Sequence, residues 1–141
     1  MRRLGWFFLY TYIGLVILAG FWGAFISPAF DFRFLFSLDP ALLGTFERVN
    51  LISQYRFLRA IELGFGVFAL LFQYEIFHDK KFNQLFLFIM FSGILARIVS
   101  FFAEGIPSSL FLFFLIYEGV GWMVIYRFSR STLNCYGKVQ H

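Results

Sequence analysis

The chain has 141 residues, of which 60% are hydrophobic and only 14% charged, where soluble domains carry roughly a quarter charged. That balance excludes an ordinary soluble domain and predicts a single all-α integral membrane domain. The net charge of +4 does not indicate nucleic acid as a partner, because the basic residues sit at the ends of apolar runs rather than on one soluble face.

Four apolar segments, 4–26, 55–74, 83–102 and 109–126, each approach the roughly 20 residues a helix needs to cross a bilayer. The first opens with Arg2 and Arg3, as a signal peptide does, but its apolar run exceeds the core of about 7 to 15 residues expected of one. It reads as a retained span. Tyr10, Thr11, Tyr12 and Gly14 give it a polar patch, in which the tyrosines, with Trp6, suit interface anchoring.

The loop from Ser27 to Gln54 is longer than a plain connection, and loops of that size are usually structured or functional. Asp39 before Pro40 is a cap and first-turn pair, and Leu42, Leu43, Phe46 and Val49 recur at helical spacing. The pattern predicts a short amphipathic helix over 40–49 at the outer interface, with Ser53 capping the second span. Asn50, Gln54 and Tyr55 fall at the outer mouth, within reach of a ligand or as helix-capping groups.

On the second span Arg59, Glu62, Gly66 and Gln73 share one face, since positions three and four apart lie together on a helix. On the third, Gly93, Arg97, Ser100 and Glu104 form a similar stripe. Ser92, Ala96 and Ser100 beside it have the small-residue spacing that lets helices approach closely. On the fourth, Glu118 precedes Gly121 and Trp122 on its own face, with Tyr117 adjacent. The 24 phenylalanines read as packing between helices and against lipid. Cys135 is the only cysteine and lies in a polar tail, so no internal disulfide forms.

Arg2 and Arg3, then His78, Lys80 and Lys81, then Arg127, Arg130 and Lys138 all fall on one side of a four-span chain. The positive-inside rule makes both termini cytoplasmic.

A charged side chain at the centre of a span costs roughly 2.5 to 3.5 kcal/mol on insertion scales, so Arg59, Glu62, Arg97 and Glu118 need a reason to be there. At about 1.5 Å per residue, Arg59 and Glu62 lie roughly 6 to 10 Å from the outer end of their span, Arg97 about 8 Å and Glu118 about 13 Å. The depths agree, and forked guanidinium groups can neutralise the carboxylates. Two readings stay open: a buried ion network that sets helix register, or a ligand pocket in the outer half of the bundle covered by the first loop. Asn50 and Glu104 join the four charges as candidate ligand-binding or network residues.

Neither histidine lies in a span, and no His or Cys cluster has metal-ligand spacing, so no metal or haem is expected. No phosphate-binding glycine loop, nucleophile elbow or cysteine pair is present, and no cofactor is expected.

Asn50 and RFLRAIELGFG (Arg56 to Gly66), LARIVSFFAEGIPSS (Leu95 to Ser109) and YEG (Tyr117 to Gly119) together resemble a family of small bacterial four-span membrane proteins known only as a domain of unknown function. That family shows an arginine in the second span, a small residue before an arginine in the third, an acidic-Gly-x-Pro turn, and often an acidic residue in the fourth. Here these are Arg59, Ala96 with Arg97, Glu104 to Pro107, and Glu118. The resemblance implies a four-helix bundle in a bacterial inner membrane and no established activity.

Three functions fit the residues. The Arg and Glu pocket can hold the head group of a lipid, quinone or other amphiphile, with Phe side chains along the tail. The aromatic exterior can dock a larger membrane complex or a second copy of the chain as an accessory subunit. Glu62 or Glu118 can exchange protons with a lipid-like substrate while Arg59 or Arg97 stabilises negative charge, as in an enzyme.

Overall fold

In the computed structural model, the backbone is described for residues 2–137 and side chains for residues 3–133. The Arg2 and Cys135 side chains, Lys138 and His141 lie outside the described residues. Among the described residues the chain is all-α, with no strand.

Helix α1 (Arg2–Phe21) is mostly apolar and widens into one π-helical turn at Trp22–Ile26, closed by the Ser27 N–H on the Trp22 carbonyl at 3.1 Å. Helix α2 (Pro28–Phe36) starts where the Ser27 hydroxyl accepts the Phe30 N–H and Pro28 fits the first turn. It ends at Ser37, which takes a left-handed conformation. A 3₁₀ turn at Pro40–Leu42 follows, capped by Asp39. Then come α3 (Thr45–Leu71), α4 (Gln73–His78), α5 (Lys80–Glu104) and α6 (Ser109–Gly137).

Among the described residues three stretches are long and apolar enough to cross a membrane, Arg3–Ile26, Lys80–Glu104 and Ser109–Leu133. Each reaches about 36 Å at 1.5 Å per residue, more than a hydrocarbon core of about 30 Å. Helix α3 has the length but differs in composition: Arg56, Arg59 and Glu62 interrupt its apolar surface, and a turn at Phe72 separates it from α4. The helix expected over 40–49 is instead a 3₁₀ turn followed by the start of α3. Ser53, expected to be a cap, lies inside that helix, and α2 occupies loop residues with no expected helix.

The chain divides into two compact units, residues 1–12 with 69–141, and residues 13–68. In the first, α4, α5 and α6 pack on one another around Leu9, Ile76, Phe77, Phe86 and Ile125, all fully buried. Asp79 caps α5 by accepting the Lys81 and Phe82 N–H groups. The buried Asn83 donates to the Ile76 carbonyl at 2.9 Å and accepts from Ser129 at 3.4 Å, tying α4, α5 and α6 together. In the second unit, α2 and α3 share an interior made by Phe32 on the Tyr55 ring, with centroids 4.8 Å apart.

Candidate functional site

The four intramembrane charges expected from the sequence fall into two ion-pair groups, one in each unit. In residues 13–68, Tyr55, Arg59 and Glu62 lie on one stripe of α3, at the i, i+4 and i+7 positions that share a helix face. The Arg59 Nε donates to the Tyr55 hydroxyl at 2.8 Å, and its Nη1 donates to Glu62 Oε2 at 2.7 Å. Tyr55 in turn donates to Asp31 Oδ2 at 2.8 Å, and that oxygen is 3.9 Å from the Arg59 Nε. The guanidinium also lies 5.0 Å from the centre of the Tyr55 ring.

The result is a polar chain with a graded exposure. The Asp31 and Arg59 side chains are only 11% and 15% exposed, whereas Glu62 is 48% exposed, on a helix whose Leu58 and Ile61 are exposed as well. A buried carboxylate is thus connected through a hydroxyl and a guanidinium to a carboxylate at the surface of an apolar helix. Charge-assisted bonds of this kind are the stronger class of hydrogen bond.

Two glycines make the arrangement fit. A Cβ on Gly23 would meet Arg59 Cγ at 2.7 Å, and one on Gly20 would meet the Leu63 backbone nitrogen at 2.7 Å. The π-helical turn also leaves the Ala24 carbonyl to accept from Arg56 Nη1 at 2.6 Å. Arg56, one turn before Arg59, therefore donates to backbone.

In the other unit, Arg97 and Glu118 form a two-pronged pair between α5 and α6, with Nε to Oε2 at 3.0 Å and Nη2 to Oε1 at 3.2 Å. The Phe111 ring lies 6.0 Å from the guanidinium carbon. Tyr117 shares a short 2.5 Å hydrogen bond with Thr11, and Trp122 donates to the Leu87 carbonyl at 3.0 Å. These contacts fix α6 against α1 and α5 on either side of Glu118.

The remaining candidates stand apart from both groups. Asn50 is exposed near the start of α3, and Glu104 is exposed at the end of α5. Glu104 lines a shallow furrow with Ser92, Leu95, Ala96, Val99 and Ser100. All six come from α5, so the furrow lacks the several walls that enclose a small ligand. Among the described residues no cluster of His, Cys, Asp and Glu could hold a metal ion.

Sequence reasoning missed Asp31 and Tyr55 as members of the Arg59 group. Asp31 falls in the first loop of the sequence, and Tyr55 at the outer mouth. Helical spacing did offer Tyr55, one turn before Arg59. Nothing in the sequence pattern offered Asp31, which arrives from another helix.

Outside these helices, Asp39 is held below the usual carboxylate range, first by the Ala41 N–H and then by the Arg33 guanidinium. Arg33 reaches it at 3.1 Å.

A family model described as a domain of unknown function (DUF4345) matches residues 3–128. Neither a curated protein nor a solved structure matches the chain.

Proposed function

The chain belongs to the DUF4345 family, a domain of unknown function, and from that premise and its own geometry we propose a four-span membrane protein that holds an amphiphile head group at Arg59. Three candidate spans are present, and α3 supplies the fourth. The charged groups in its apolar stretch have partners: Arg59 pairs with Glu62 and Asp31, and Arg56 donates to the Ala24 carbonyl. Pairing of this kind lowers the cost of ionisable groups within a bilayer. With four spans the basic clusters fall on one side, so the positive-inside rule favours cytoplasmic termini, and the family resemblance favours a bacterial inner membrane.

The observation that carries the head-group reading is the exposure gradient from Asp31 through Tyr55 and Arg59 to Glu62. It supports a polar entrance opening on an apolar helix surface, the setting in which a lipid, a quinone or another amphiphile presents its head. With its Nε and Nη1 bonded to Tyr55 and Glu62, Arg59 keeps its Nη2 to donate to a carboxylate, phosphate or carbonyl oxygen. The test is native mass spectrometry of the protein released from its own membrane in mild detergent, beside the Arg59→Lys variant. One defined amphiphile on the wild type and its loss from the variant is the expected result. Equal retention by both proteins, or no bound amphiphile on either, overturns the reading.

A second reading has its own support in the Arg97 and Glu118 pair. Its two-pronged geometry satisfies both carboxylate oxygens, which suits a fixed link between helices in an accessory subunit. A stoichiometric larger protein partner in the same spectra would favour that role.

A further inference from the structure

We propose that α2 is a membrane-interfacial helix, its Trp22, Phe30 and Phe34 row seated at the boundary between lipid acyl chains and head groups. At nine residues α2 is far too short to cross a bilayer, which takes about 20. Yet it follows a membrane-length apolar stretch, Arg3–Ile26, with only Ser27 between them.

The outer side of this segment is aromatic without a break. Phe21, Trp22, Phe25 and Ile26 are exposed at the end of that stretch. Trp22 then meets Phe30 edge-on, with centroids 5.9 Å apart, and Phe30 stacks on Phe34 at 5.7 Å and 11°. Phe30 and Phe34 are one turn apart and remain 53% and 66% exposed. The inner side is already occupied: Asp31 and Phe32 are buried against Tyr55. Protein therefore satisfies one face of α2, while the other presents a row of rings.

Continuity identifies the occupant. The surface that must meet acyl chains on α1 continues through Trp22 and Phe25 to Phe30 and Phe34, so the same medium covers it. The polar edge fits as well. Arg33, beside Phe34, extends outward to pair with Asp39 at 3.1 Å, and both remain exposed. Aromatic rings, including a tryptophan, flanked by an arginine are what the interfacial layer of a bilayer selects. Because Phe30 is exposed while the next residue, Asp31, is buried against Tyr55, lipid contact on the ring row also holds Asp31 on Tyr55. This does not depend on a ligand at Arg59.

The test places an NBD fluorophore on α2 of the full chain in phosphatidylcholine nanodiscs. Single-cysteine variants Phe30→Cys, Phe34→Cys and Arg33→Cys are made in a Cys135→Ser background. At positions 30 and 34, quenching by nitroxide-bearing lipid is expected to exceed quenching by aqueous iodide several-fold, with the order reversed at 33. Iodide access at 30 and 34 equal to that at 33 places α2 in water and overturns the proposal. Shielding of both positions from both quenchers means a protein covers the row, and also overturns it.

A photolabel on the unsubstituted chain keeps the question open to an answer if a cysteine variant does not fold. With a phosphatidylcholine carrying a diazirine on its acyl chain, adducts are expected on the peptide from Trp22 to Phe36 as well as on α5. Labelling of α5 with none on that peptide overturns the proposal.

Discussion

Gly23 lies so close to Arg59 that a Cβ added to it would fall 2.7 Å from Arg59 Cγ and 2.8 Å from Asp31 Oδ2. The absence of a side chain at Gly23 therefore sets the position of both a guanidinium stem and a buried carboxylate. Arg59 cannot retreat easily, because its Nε and Nη1 are committed to Tyr55 and Glu62. Gly23→Ala is expected to destabilise the protein by about 1 to 3 kcal/mol, the usual range for overpacking. Gly14 supplies the control, since a Cβ there meets nothing within 4 Å. Gly14→Ala should leave stability unchanged or raise it by up to about 1 kcal/mol, because alanine replaces glycine inside a helix. Unfolding in detergent by added dodecyl sulfate reads both variants. Equal stability of the two would show that the space at Gly23 is not limiting.

The Arg97 and Glu118 pair gives a second prediction. Its members are 38% and 19% exposed, so solvent and lipid head groups screen it more than a fully buried pair. Arg97→Ala strands Glu118 and should cost about 1 to 3 kcal/mol, below the 3 to 5 kcal/mol typical when one partner of a buried pair is removed. A double-mutant cycle with Glu118→Ala isolates the coupling. Additive losses in the cycle would mean that the pair contributes nothing as a pair.

A third prediction concerns the polar contact inside the α4, α5 and α6 core. Asn83→Ala removes a donor from the Ile76 carbonyl and an acceptor from Ser129, both in buried surroundings. Ser129 keeps its bond to the Tyr126 carbonyl, but leaving the Ile76 carbonyl unsatisfied costs roughly 1 to 3 kcal/mol. Asn83→Ala should therefore lower the unfolding midpoint more than Gln84→Ala, since Gln84 is exposed one residue further on. Comparable midpoints would place the ties of α4 elsewhere.

Periodicity and hydropathy reached the parts of this fold that depend on neighbours within one helix. The apolar stretches Arg3–Ile26, Lys80–Glu104 and Ser109–Leu133 overlap the spans read at 4–26, 83–102 and 109–126, because a membrane helix must be apolar over its own length. Arg59 and Glu62 share a face for the same reason. Asp31 was out of reach: its partner Tyr55 is 24 positions away, and no spacing rule links two helices joined by a loop. Helix α2 was closer to hand. Ser27 before Pro28 is the same kind of cap and first-turn pair as Asp39 before Pro40, and both caps form. The Asp39 pair opens only a 3₁₀ turn, because Leu43 is already extended after it, whereas the Ser27 pair opens a helix of nine residues.

The link between α2 and that 3₁₀ turn yields a pH prediction. The Asp39 carboxylate accepts from the Ala41 N–H and from Arg33, and these contacts hold it below its ordinary value of 3.8. A carboxyl group with a lowered folded-state value stabilises the fold above its unfolded value and loses that contribution as pH falls through the lower one. The turn should therefore keep its order throughout the neutral and mildly acidic range and loosen only below the ordinary carboxylate range. Amide exchange at Ala41, corrected for the intrinsic effect of pH, should accelerate there. Asp39→Asn should remove the dependence, since an amide has no charge to lose. A loosening that begins near neutral pH, or one that persists in Asp39→Asn, would assign the titration to a different group.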